Sequence, residues 1–125
     1  MDQKEKRRFE RMQFSGTGGM TGMFASEAHP DEPLAAAIMD LSLGGMGIVF
    51  KKDMSGVLRE GDFLILSEIE NMPSLAFMKN IKMQIRWAVL QDPEQVAAGC
   101  EFVTIAKDVA EKLRQVMDSW KIRII

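Results

Sequence analysis

Two short stretches carry side chains suited to holding an anionic, planar ligand. In Arg7-Arg8-Phe9-Glu10-Arg11, Arg7 and Arg11 are separated by three residues, with Arg8 between them. A guanidinium presents a flat fork of donors that matches phosphate oxygens or the O6 and N7 edge of guanine, and its face stacks on a base. Two such forks can grip a guanine nucleotide from two sides. The second stretch, Asp40-Leu41-Ser42-Leu43-Gly44-Gly45, has the pattern D-x-S-x-x-G with Gly44 beside Gly45. Its carboxylate can accept from guanine N1 and N2, its hydroxyl can donate or accept, and its glycines allow close backbone approach. These groups complement the edge opposite the one arginine reads.

Each stretch also has a plainer reading. The arginines alone fit a solvated basic start or a nonspecific nucleic-acid arm. Asp40 and Ser42 alone fit a strand-turn-strand junction in which both side chains tie their own backbone and the glycines make the bend. Other chemistry has little support. The lone histidine, His29, precedes a proline with no spacing that links it to Ser42, so a nucleophile and base pair is not formed and an enzyme is not expected. One His and one Cys do not make a zinc site, and no metal is expected. Cys100, within the apolar run AAGCEFVTI, reads as a buried reduced thiol.

Positioning these groups requires a folded scaffold, and the composition allows one. The 125 residues suffice for one hydrophobic core, and 46% hydrophobic with 27% charged residues is ordinary for a soluble globular chain. The first twelve residues lack a signal-peptide apolar stretch and no run is long enough to span a membrane, so the expected location is cytoplasmic. The net charge of -2 conceals a local positive field, because Lys4 to Arg11 holds five basic and two acidic side chains. A local field suits a small anionic partner better than a long duplex.

Residues 81–89 alternate, with Ile81, Met83, Ile85, Trp87 and Val89 on one face, which predicts a strand. Residues 62–70 read as another. In 45–52, Met46, Ile48 and Phe50 share a face, and in 99–105 Cys100 and Phe102 do so. Residues 34–42 are read as a strand between prolines and the glycine pair. The glycine-rich 15–26 fits neither phosphate-loop spacing and is read as a flexible connector. Over 107–120, Val109, Leu113, Val116, Met117 and Trp120 recur at helical spacing, with Asp108 and Glu111 placed for a capping box. Strands followed by one terminal helix predict a mainly β fold, a small antiparallel barrel or sandwich with the helix packed on it. The chain divides into a basic arm, 1–11, and one domain, 12–125.

Basic RRFER, then DLSLGG, then strands ending in GCEFVTI and an amphipathic helix together resemble the PilZ domain family, from about Lys6 to Trp120. That resemblance implies a six-stranded antiparallel barrel with a C-terminal helix, and a receptor for the bacterial second messenger cyclic di-GMP. It implies that Arg7 and Arg11 bind phosphate and guanine, that Asp40, Ser42 and Gly45 hold a guanine at the barrel surface, and that Arg8 and Gly44 assist. Lys6 stands where the family varies between one bound ligand and a stacked pair, and the stoichiometry stays open. An arm rich in like charges is expected to settle when the phosphates of such a ligand neutralise it, so binding is expected to move the arm and a protein effector to read the change, with no other cofactor. Self-association is left open. Two alternatives remain: a PilZ-like adaptor acting through protein contacts alone, and a single-strand nucleic-acid barrel. The latter is disfavoured because Trp87 and Trp120 fall on apolar faces that suit core packing, and the chain has no Tyr. Many of the eleven methionines, Met83 and Met117 among them, read as core filler.

Overall fold

Period-two burial runs through most of the chain. The computed structural model describes residues 11–13, 20–27, 31–52 and 58–124, and these form β1 (Arg11–Gln13), β2 (Met20–Ser26), β3 (Leu34–Ser42), β4 (Gly45–Lys51), β5 (Phe63–Glu70), β6 (Ile81–Asp92), β7 (Gln95–Thr104) and α1 (Lys107–Ile124). Every pairing is antiparallel. The order β3-β2-β5-β6-β7-β4, with β4 pairing back onto β3, closes a six-stranded barrel, and β1 adds to the end of β3 beyond β2. This is the mainly β barrel with a terminal helix expected from the sequence.

The interior is filled by alternate residues of each strand, including Ile38, Ile48, Leu64, Met83 and Ile85, each at most 1% exposed. Met46, Ile48 and Phe50 all point inward, as do Cys100 and, in part, Phe102. Met83 and Met117 are buried in the core, as read from their positions. Burial pushes the Cys100 thiol up to about 12, so it is protonated and unreactive near neutrality.

Three expectations are corrected. The glycine-rich connector is a strand over Met20–Ser26, while 15–19 lie outside the described residues. Met20 and Phe24 face the core, and the Phe24 ring folds across Gly22, where a Cβ would lie 2.7 Å from it. A glycine that looks like a break thus makes room for an aromatic ring. In β6, Ile81, Met83 and Ile85 are buried but Trp87 and Val89 are exposed, because the register with β7 shifts between Ile85 and Trp87. The inserted Arg86 turns Trp87 and Val89 to the opposite face, until the register shifts again between Leu90 and Asp92. Finally, α1 begins at Lys107, with the Ala110 N–H bonded to the Ala106 carbonyl, so Asp108 lies inside the first turn and no capping box forms. Glu111 instead pairs with Arg114. The helix also runs past residue 120 to Ile124.

The helix presents Leu113 and Met117 to the core, with Val109, Val116 and Trp120 partly covered. It packs against the 3-10 turn Pro73–Leu75 in the β5–β6 connection, above buried Leu75 and Met78. Among the described residues, no helix is long and apolar enough to cross a membrane.

Candidate functional site

The bend between β3 and β4 is built by the D-x-S-x-x-G residues. Ser42 is buried; its Oγ accepts from the Gly44 N–H at 3.1 Å and donates to the Gly45 carbonyl at 3.4 Å. Asp40 Oδ1 accepts from the Gly47 N–H at 2.9 Å. Gly45 lies so close to β7 that a Cβ there would fall 2.0 Å from the Cys100 carbonyl oxygen. Beside it, the Phe102 N–H donates to the Gly44 carbonyl at 2.8 Å. Turn chemistry and strand contact thus fix the backbone at Ser42, Gly44 and Gly45.

Asp40 differs, because it reaches the surface. Residues 34, 36 and 38 are buried, yet so is Leu41, an odd step that requires an irregularity. The β3–β4 register shifts between Ile38 and Asp40, leaving Met39 exposed and Asp40 half-buried. The bulge aims the carboxylate outward over Gly47, where a Cβ would meet Asp40 Oδ2 at 2.8 Å.

The same row continues around the barrel. Asp40 lies opposite Gly47, Gly47 opposite Gly99, and Gly99 opposite Trp87. A Cβ on Gly99 would fall 2.2 Å from Trp87 Nε1, so the indole rests on that glycine. The outer face thus holds a floor of two residues without side chains, with a carboxylate leaning over one and an indole over the other. Neighbouring strands are about 4.8 Å apart, so the row spans about 14 Å of backbone from β3 to β6. An indole supplies a stacking surface and a carboxylate accepts from ring N–H groups.

Alternation alone assigns Trp87 to the core and misses its place on this outer face. The signal available was the run Trp87-Ala88-Val89-Leu90, apolar on both parities and so inconsistent with a simple alternating continuation.

On the other side of β3, β1 pairs along the bend: Arg11 lies opposite Ser42, Met12 opposite Leu41 and Gln13 opposite Asp40. The end of the arginine segment is therefore one strand from the elbow, about 5 Å between paired backbones. Arg7 and Arg8 lie outside the described residues.

The PilZ domain model matches residues 5–119. Among solved structures, the PilZ domain with c-di-GMP of YcgR from Escherichia coli is 20% identical with a TM-score of 0.72, covering 95% of this chain and 94% of that one. The K. pneumonia MrkH–c-di-GMP complex is 12% identical with a TM-score of 0.74, covering 95% of this chain and 53% of that one. The Bacillus subtilis inhibitor of motility MotI/DgrA is 17% identical with a TM-score of 0.63, covering 94% and 52%. This chain thus spans about half the length of the latter two. Among curated proteins none matches in sequence. The structural likenesses share the closed barrel and terminal helix described above. With the family model matching nearly its whole length, the chain belongs to the PilZ domain family.

Proposed function

We propose that this chain is a cyclic di-GMP receptor, not an enzyme, that holds the dinucleotide between the arginine segment and the outer face of the elbow. The observation that carries this reading is the pairing of Arg11 with Ser42, which brings the end of R-x-x-x-R alongside D-x-S-x-x-G. Family membership supports it, as do two structural neighbours solved with c-di-GMP. Arg7 and Arg11 supply phosphate and guanine contacts, with Arg8 auxiliary; Asp40 accepts from a guanine edge, and Ser42, Gly44 and Gly45 set the bend that aims it. Trp87 offers a stacking wall across the glycine floor.

Binding holds the arginine segment against the barrel, and the altered surface is what a protein effector reads. Fixing residues costs about 1–2 kcal/mol each, so affinity is traded for a conformational response. A micromolar constant corresponds to about -8 kcal/mol, within reach of a few charge-assisted hydrogen bonds and one or two stacks after that cost.

Calorimetric titration with cyclic di-GMP, against GTP as control, tests the reading. Arg7→Ala and Arg11→Ala are expected to weaken binding by about 1.5 kcal/mol or more each, the range for a hydrogen bond to a charged group. Lys52→Ala, beyond the far end of β4, should leave it unchanged. Equal affinities for all four proteins would remove the arm from the site, and no binding at all would remove the ligand.

A further inference from the structure

Strand β6 is longer than the partner that covers its outer edge. It pairs with β5 only over residues 81–84, extended by the Ile85 backbone bonds to Gly61 and Asp62. It pairs with β7 as far as Asp92. Among the described residues, segment 86–92 is therefore bonded on one side alone, and its other edge presents unpaired backbone groups. Its side chains are unusual for such an edge. Trp87, Val89 and Leu90 are 44%, 55% and 56% exposed, and 87–91 holds no Lys or Pro. Soluble proteins usually blunt free edges with those residues, because an open apolar edge recruits another strand.

The order of residues 86–92 selects the recruit. In Arg-Trp-Ala-Val-Leu-Gln-Asp, an antiparallel two-fold pairing centred on Val89 sets Val89 against itself, Ala88 against Leu90, Trp87 against Gln91 and Arg86 against Asp92. Both ends of the pairing join opposite charges, no like charges face each other, and apolar residues occupy the middle. Arg86 and Asp92 are both exposed: Arg86 lies 3.6 Å from Glu101 and donates to Gln84 Oε1 at 3.1 Å, and Asp92 Oδ1 accepts from the Glu94 N–H at 2.8 Å, solvent-exposed contacts of small worth that an opposite charge on a partner can replace. Register irregularities beside Arg86 and between Leu90 and Asp92 flank the regular tract 87–90, and because a two-fold pairing uses the same edge of both copies it closes as a dimer instead of propagating.

We infer that the free edge of β6 is a self-association surface, at which a second copy of this chain adds its own residues 86–92 antiparallel about Val89. The inference does not depend on any ligand. It uses the strand's edge, whereas the glycine floor lies on its outward face.

Charge reversal tests it. Sedimentation equilibrium on the full chain is expected to show a reversible dimer in the micromolar to submillimolar range. Arg86→Asp and Asp92→Arg each set like charges at both ends of the symmetric pairing, and each should raise the dissociation constant at least about tenfold. Mixed in equal amounts, the two variants oppose acid to base at both ends and should restore the dimer as a heterodimer, a readout that a modest loss of stability in either variant does not imitate. A wild-type chain that stays monomeric throughout, variants as dimeric as wild type, or a mixture no more associated than its components would each overturn the inference. The first of these results is also what an edge reserved for a strand of a different protein would give.

Discussion

The sharpest consequence of the elbow concerns Gly45. A Cβ built there falls 2.0 Å from the Cys100 carbonyl oxygen, with the Cα of Glu101 3.0 Å away. Ordinary carbon–oxygen contact begins at about 3.3 Å, so Gly45→Ala must move backbone by more than about 1 Å. No rotamer relieves the clash, because the obstacle is the β7 main chain. The movement pulls at the bond from the Phe102 N–H to the Gly44 carbonyl and at the β4–β7 ladder. Overpacking costs about 1–3 kcal/mol and a weakened hydrogen bond about 1 more, which places Gly45→Ala about 2–4 kcal/mol below wild type. For a chain of this size that lowers the melting temperature by about 8–16 °C. Gly99→Ala is the internal control, since the three atoms nearest its Cβ all belong to the exposed indole of Trp87, a side chain that can swing away. Its cost should stay under about 1 kcal/mol. Urea unfolding followed by tryptophan fluorescence, with circular dichroism as a second probe, measures both. A Gly45→Ala protein within about 0.5 kcal/mol of wild type would refute the assignment of Gly45 to strand contact. It would also return that glycine to the role of a ligand contact alone.

If the indole is a stacking wall, Trp87→Ala should weaken cyclic di-GMP binding by about 1–3 kcal/mol, the range for one base stacked on an aromatic side chain, as read by calorimetry. Leu113→Ala, at a fully buried helix position, should cost about 3–5 kcal/mol in urea unfolding through the cavity left beneath α1. The Cys100 thiol is protonated in the folded chain up to about pH 12 but ionises near pH 8.5 when unfolded. Its contribution is therefore fully present below about pH 8.5 and falls by up to about 1.4 kcal/mol per pH unit as pH rises towards 12. Comparing unfolding of wild type and Cys100→Ala at successive alkaline pH values should show a shallower decline in the variant. Thiol alkylation near neutrality should require denaturant, and rapid labelling of the native chain would contradict the burial.

Much of this protein was legible without coordinates, wherever a pattern was local. The alternation in 45–51 needs only the two-residue period of a strand, 34–42 is confined to one by the prolines before it and the glycine pair after it, and the spacing of Leu113 and Met117 needs only the helical turn. The chemistry of the arginines and of D-x-S-x-x-G is likewise carried by residue type. Tertiary structure decided what depended on pairing. Residues 20–26 became a strand because β3 and β5 flank them and Phe24 closes over Gly22. Trp87 left the core because one extra residue, Arg86, inverted the faces of the residues next after it, a change of parity that single-strand periodicity does not reveal. The neighbouring of Arg11 and Ser42 was likewise a matter of register, since residues so far apart in the chain meet only when strands choose their partners.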